Sequence, residues 1–227
     1  MTIDDTLAPL DAGASGESLG APIWSTATLP WRLLEVGGAG ALAGVLMILV
    51  WLQVRPDLTE AAGHAFFWIK AAYTAGVALF ALVAATWLAR GRPGGVTVLA
   101  LAGAAAVAML VAAGVQNAAM SPPALAALHW PNALVCLGNI LVIAAPMLGL
   151  TAFGLRDVDL LRPAPTGFAC GLFCGGVAAT VDGLHCWQGT YAFVGPWFTL
   201  AMLVSGGIGA GAIKLLARRR RFLLAAE

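Results

Sequence analysis

In the stretch "TVDGLHCWQGTY", Thr180 to Tyr191, an acid, an imidazole and a thiol fall within five residues: Asp182, His185 and Cys186. That set could serve nucleophilic catalysis, metal binding, thiol redox chemistry or plain polarity at a helix end. Three more cysteines (Cys136, Cys170, Cys174) and two more histidines (His64, His129) complete the inventory, with Lys70 in "FFWIK" as an isolated cation in an apolar run. Cys170 and Cys174 are spaced i, i+4 among Gly171, Gly175 and Gly176, the setting of small packing residues on one helix face. Lys70 reads first as a snorkelling side chain, its stem along lipid and its head among the headgroups. Asp182 is the alternative ion-pair partner, because an intramembrane charge needs one.

The elements that must position these residues follow from composition. Of 227 residues, 60% are hydrophobic and 10% charged, with a mean hydropathy of +0.88. A soluble domain carries about 25% charged residues, so this chain cannot cover a water-facing surface. Six runs are long enough to span a bilayer: 33–54, 66–89, 96–115, 132–153, 166–186 and 191–215. Helix is the expected form, since open strand edges are not tolerated in lipid and barrel-like alternation is missing. The fold class is therefore all-α, a polytopic membrane bundle of six transmembrane helices. A polar segment 1–31 precedes it, the bundle covers 32–217, and a basic tail 218–227 follows.

Charge asymmetry orients the bundle. Of the twelve Lys and Arg, only Arg55 and Lys70 fall on one side; the other ten, among them Arg90, Arg92, Arg156, Arg162 and Arg218 to Arg221, fall on the other. The positive-inside rule puts both termini in the cytoplasm. His64, His129 and His185 then lie outward, beside Trp51, Trp68, Trp130 and Trp187 as an aromatic belt. Cys186 would end the fifth span there. Cys136 would lie about 8 Å below Pro131 at ~1.5 Å per residue, a depth the two thiols can share. Arg218–Arg221 anchors the last helix on anionic lipid.

Catalytic motifs are missing: no CxxC or HExxH occurs, and the GxSxG string "GESLG" from Gly16 lies in the polar segment with no strand before it, so it is not a nucleophile elbow. "GGIGAGA" from Gly206 lies inside an apolar run with no strand before it, so it reads as helix packing rather than a dinucleotide loop. No enzyme activity and no cofactor are expected. A small multi-pass transporter or metal-handling protein is the alternative.

Several stretches in order resemble the NrsF family, bacterial membrane-bound negative regulators of sigma factor F and related extracytoplasmic-function sigma factors. They are "IDDTLAPLDA", "RPDL", "FFWIKAAYTAGVALFALVAATWLAR", "GGVAATVDGLHC" and "FVGPWFTLAMLVSGGIGAGAIKLLARR". The resemblance implies a stress-response anti-sigma factor in the bacterial inner membrane, with an extracytoplasmic-function RNA polymerase sigma factor as partner. No direct nucleic-acid contact is implied. It also implies that Cys136 and Cys186, with His185, sense an outer-face signal. The family commonly has an apolar or aromatic residue where Asp182 stands, and Pro and an acid where Trp187 and Gln188 stand.

Thiols with imidazoles suit a disulfide in an oxidising compartment or a soft metal. The metal candidates are Cys136, Cys186, His185 and His129. The sigma factor would be held by segment 1–31, which has Asp4, Asp5, Asp11 and Glu17 but no cation before Arg32. Ile3, Leu7 and Leu10 can share one face of a short helix that folds on binding, so Asp4, Asp5, Leu7 and Leu10 are the expected contacts.

Overall fold

The structure, a computed structural model, describes residues 24–121 and 132–224. Among these there are helices and no strand. The helices are α1 (Leu29–Met47, prolonged by a π-turn Ile48–Leu52), a short α2 (Leu58–Ala62), α3 (Ala65–Ala89), α4 (Gly95–Ala118), α5 (Asn132–Leu155), α6 (Pro163–Asp182) and α7 (Tyr191–Leu224). All except α2 are long and apolar enough to cross a membrane. The described residues are thus helical with turns between, and they include six helices of the length and apolarity that the composition requires of spans.

Local chemistry sets the helix starts. Ser25 and Thr28 exchange side-chain bonds with each other's backbone N–H (3.1 and 3.2 Å) just before Pro30. Proline is tolerated in a first turn because that N–H has no intrahelical partner. Pro163 opens α6 in the same way. Gly91 and Gly94 take positive φ (64° and 92°) in the short turn between α3 and α4, which other residues adopt reluctantly.

α6 is the hub, packing on α7, α3, α5 and α1. Its glycines set the approach. A methyl group at Gly171 would strike the Ser205 carbonyl, and one at Gly209 would strike the Gly167 carbonyl, so α6 and α7 meet backbone to backbone. The "GGIGAGA" run therefore packs, as its setting suggests. Gly176 faces Ala78 of α3, and Gly37 of α1 faces the Phe173 ring. α4 lies on the flank against α3 and α7.

Two boundaries differ from expectation. α1 starts at Leu29, inside the segment assigned to the polar tail. The fifth span ends at Asp182, so Cys186 lies beyond the helix rather than at its end. Gly183 follows, a residue that disfavours helix, and the Leu184 N–H tightens to the Val181 carbonyl (3.0 Å). α7 runs on through Arg218–Arg221 to Leu224. At ~1.5 Å per residue its 34 residues reach about 50 Å, past the ~30 Å hydrocarbon core.

Candidate functional site

The turn after α6 brings Cys186 back over the helix end. The Asp182 carbonyl accepts from the Cys186 N–H (2.8 Å) and the His185 N–H (2.9 Å). One further turn of helix-like bonding puts the side chains of 182 and 186, four residues apart, on the same face. That face meets α5. Cys136 Sγ and Cys186 Sγ are 3.0 Å apart, both buried. Both are free thiols, longer apart than the ~2.05 Å of a disulfide. Cys186, outside the spans, is held below the ordinary thiol range. The Cys136 thiol donating to it is the main cause, and the Lys70 ammonium adds to it against the cost of burial.

Asp182 completes the group. Its carboxylate and the two sulfurs offer ligand atoms that all lie within 4.8 Å of one another. The residue is fully buried, and neither carboxylate oxygen has a hydrogen-bond partner. Asn139, one turn after Cys136 on α5, is close enough to act on the carboxyl, yet its amide nitrogen also makes no bond of proper geometry.

Lys70 does not snorkel. It is 3% exposed and turns inward from α3. Its ammonium donates to the carbonyls of Cys186 (2.9 Å) and Gln188 (3.4 Å), and it stands over the Phe198 ring at 5.4 Å. Its hydrogen bonds thus go to backbone past the end of α6, where carbonyls lack helical partners, rather than to Asp182. On its other side is a cavity of about 360 Å³ lined by Arg55, Asp57, Glu60, His64, Lys70 and Gln188 among others. Arg55 grips Asp57 with two bonds (2.8 and 2.7 Å), which raises the Arg55 pKa and lowers that of Asp57.

His185 points elsewhere. Its Nδ1 bonds the Gln53 carbonyl at 2.8 Å, and the Arg55 N–H bonds the Leu184 carbonyl at 3.2 Å. Together they clamp the 53–55 and 184–186 turns. Gln53 takes φ 66° and ψ 140°, a conformation that costs a non-glycine residue ~1–3 kcal/mol and persists only where the surroundings hold it. Trp51, Trp68 and Trp187 are exposed at this same end.

The structure therefore joins Cys136 to Cys186 as their depths suggest, and adds Asp182 as the third member. His185 is absent from that ligand group. His129, Trp130, Asp4, Asp5, Leu7 and Leu10 lie outside the described residues. Cys170 and Cys174 are buried within α6, with Thr151 3.9 Å from the Cys174 sulfur. The i, i+4 spacing of Asp182 to Cys186 is a signal in the sequence, but it acts only if the turn continues past Gly183, so the place of Asp182 in the group was not legible. Lys70 gave no signal of which way it points.

At the opposite end, the segment leading into α1 is fastened. Arg90, after α3, donates to the Thr26 and Ala27 carbonyls (3.0 and 3.1 Å). Trp24 is buried against Gly154 of α5, where a methyl group would collide with the indole.

The family described as "Negative regulator of sigma F" matches residues 20–218. The "Anti-sigma-F factor NrsF" of Caulobacter vibrioides (strain NA1000 / CB15N) is 40% identical over 225 residues, covering 96% of this chain and 100% of that protein. The "Probable anti-sigma-F factor NrsF" of Azospira oryzae (strain ATCC BAA-33 / DSM 13638 / PS) is 31% identical over 212 residues, 92% of this chain and 95% of that one. No solved structure matches. The family match takes in both Cys136 and Cys186 and reaches all six candidate spans, so the chain belongs to the NrsF family of negative regulators of sigma F.

Proposed function

We propose that this protein is an inner-membrane anti-sigma factor that holds an extracytoplasmic-function sigma factor through residues 1–31 and releases it when an outer-face signal acts on Cys136 and Cys186. The end-to-end similarity to the anti-sigma-F factor of Caulobacter vibrioides carries the sigma-factor part. The 3.0 Å approach of the two thiols, from helices that meet at one end of the bundle, supports the sensing part. Oxidation would close a bond there, and a soft metal would bridge the same sulfurs. Either acts on the sigma factor only by favouring one helix arrangement over another.

The acidic segment with its apolar spacing suits a basic partner, and charge of this kind acts mainly on encounter rate. Residues 24–28 fasten that segment to the ends of α3 and α5, so a shift of α5 at Cys136 has a path to it. Transport is less well supported. Among the described residues the buried charged side chains are Lys70 and Asp182, at the same end, with no second pair deeper in the bundle.

The test is co-purification. The full chain extracted from membranes should retain its bacterium's sigma factor, and a chain lacking residues 1–22 should insert equally but lose it. Retention by the truncated chain would remove the tail as the binding element.

A further inference from the structure

We propose that Asp182 is the third ligand of a binding site for a zinc-group divalent cation made with Cys136 and Cys186. The inference rests on the sensor reading of the two cysteines and goes further by naming the third ligand and the ligand chemistry. Three observations meet here. First, the three donor atoms lie within 4.8 Å of one another. Donors on one tetrahedral zinc, at bond lengths of ~2.0–2.3 Å, sit about 3.5–3.8 Å apart. The 3.0 Å sulfur pair must open and the carboxylate must close by less than the width of an atom. Second, Asp182 is fully buried with both oxygens unpartnered. A buried carboxylate without partners is costly. A disulfide between the thiols would leave it so, whereas a cation would satisfy it. Third, the donor set is chemically selective. Two thiolates favour soft and borderline cations, and one carboxylate fits zinc-like rather than copper(I)-like preference.

Any proton held by a thiol or by the carboxyl leaves to water as its metal–ligand bond forms, and nothing is oxidised. Three ionised ligands beside the Lys70 ammonium carry two negative charges net, which a divalent cation cancels. The polar cavity with Arg55, Asp57, Glu60 and His64 at its wall reaches Lys70, whose ammonium bonds the Cys186 carbonyl. His185 is left to orient that turn through Gln53.

The test uses the full-length reduced protein in detergent, titrated with Cd²⁺ and Zn²⁺ against a chromophoric chelator. The thiolate-to-cadmium ultraviolet band reports the sulfurs. Wild type should bind one ion with the band, and Cys136→Ser should weaken the band. Asp182→Asn should keep the band but bind about 10- to 100-fold more weakly. Asp182→Cys should recover tight binding with a stronger band, which a folding defect would not produce. His185→Ala should keep one ion and the full band, because the imidazole supplies no ligand atom. Wild-type affinity in Asp182→Asn, no recovery in Asp182→Cys, or no binding by wild type would each overturn the assignment. The sensor reading is judged separately, by sigma-dependent transcription in the cysteine variants. Cysteines that still govern release while Asp182→Asn binds normally would sink only the third ligand.

Discussion

Cys186 has each of its polar groups engaged by a different residue. Asp182 takes its N–H, Lys70 its carbonyl and Cys136 its thiol. Groups that share one network are coupled, typically by ~0.5–3 kcal/mol in a double-mutant cycle. Cys136→Ser and Cys186→Ser should therefore each alter signal-dependent sigma release, and the double variant should match a single one. Cys170→Ser and Cys174→Ser should leave the response in place, because both lie within α6 away from the group. Sigma-dependent transcription with and without heavy metal or oxidant reads all five chains; additive effects would argue that the thiols act apart. The pairing of Cys136 with Cys186 was legible because helix limits fix depth. Asp182 and Lys70 were not, since depth says nothing of which neighbour a side chain faces. Inward burial of Lys70 depends on carbonyls freed by a helix break at Gly183, more than a hundred residues along the chain.

At the scale of elements, α5 connects the two ends of the bundle. Cys136 lies near its start and Gly154 near its finish, where the indole of Trp24 fills the space a side chain would need. Pro146 lies between them, and proline removes one helical bond and permits a bend. Gly154→Val should displace Trp24 and loosen residues 24–28, at an overpacking cost of ~1–3 kcal/mol. The expected result is raised sigma-dependent transcription without any signal, with membrane insertion unchanged. Basal transcription equal to wild type would separate the Trp24 contact from sigma binding. Helix existence and small-residue packing were readable in the apolar runs and the Gly206 stretch. Helix ends were not, because a span can stop anywhere the backbone finds other partners, as it does at Asp182.

For the whole molecule, charge sorts the two ends. Arg90, Arg92, Arg156 and Arg162 cluster at the turns of one end, and α7 carries Arg218–Arg221 beyond the length a bilayer needs. The other end has Arg55, already matched by Asp57, and Lys70, already inside. That end therefore presents little unmatched positive charge to hold it in the cytoplasm, while the first end presents a great deal. Its exposed Trp51, Trp68 and Trp187 suit the opposite interface. The expected topology has both termini in the cytoplasm and the cysteine group facing outward. A reporter active only in the cytoplasm should work when fused after Glu227. One active only in the periplasm should work when inserted in 122–130. The reverse pattern would place Cys136, Asp182 and Cys186 on the cytoplasmic side, under reducing conditions that oppose a disulfide. A sensor for an external signal could not then be built from them, whatever metal they bind.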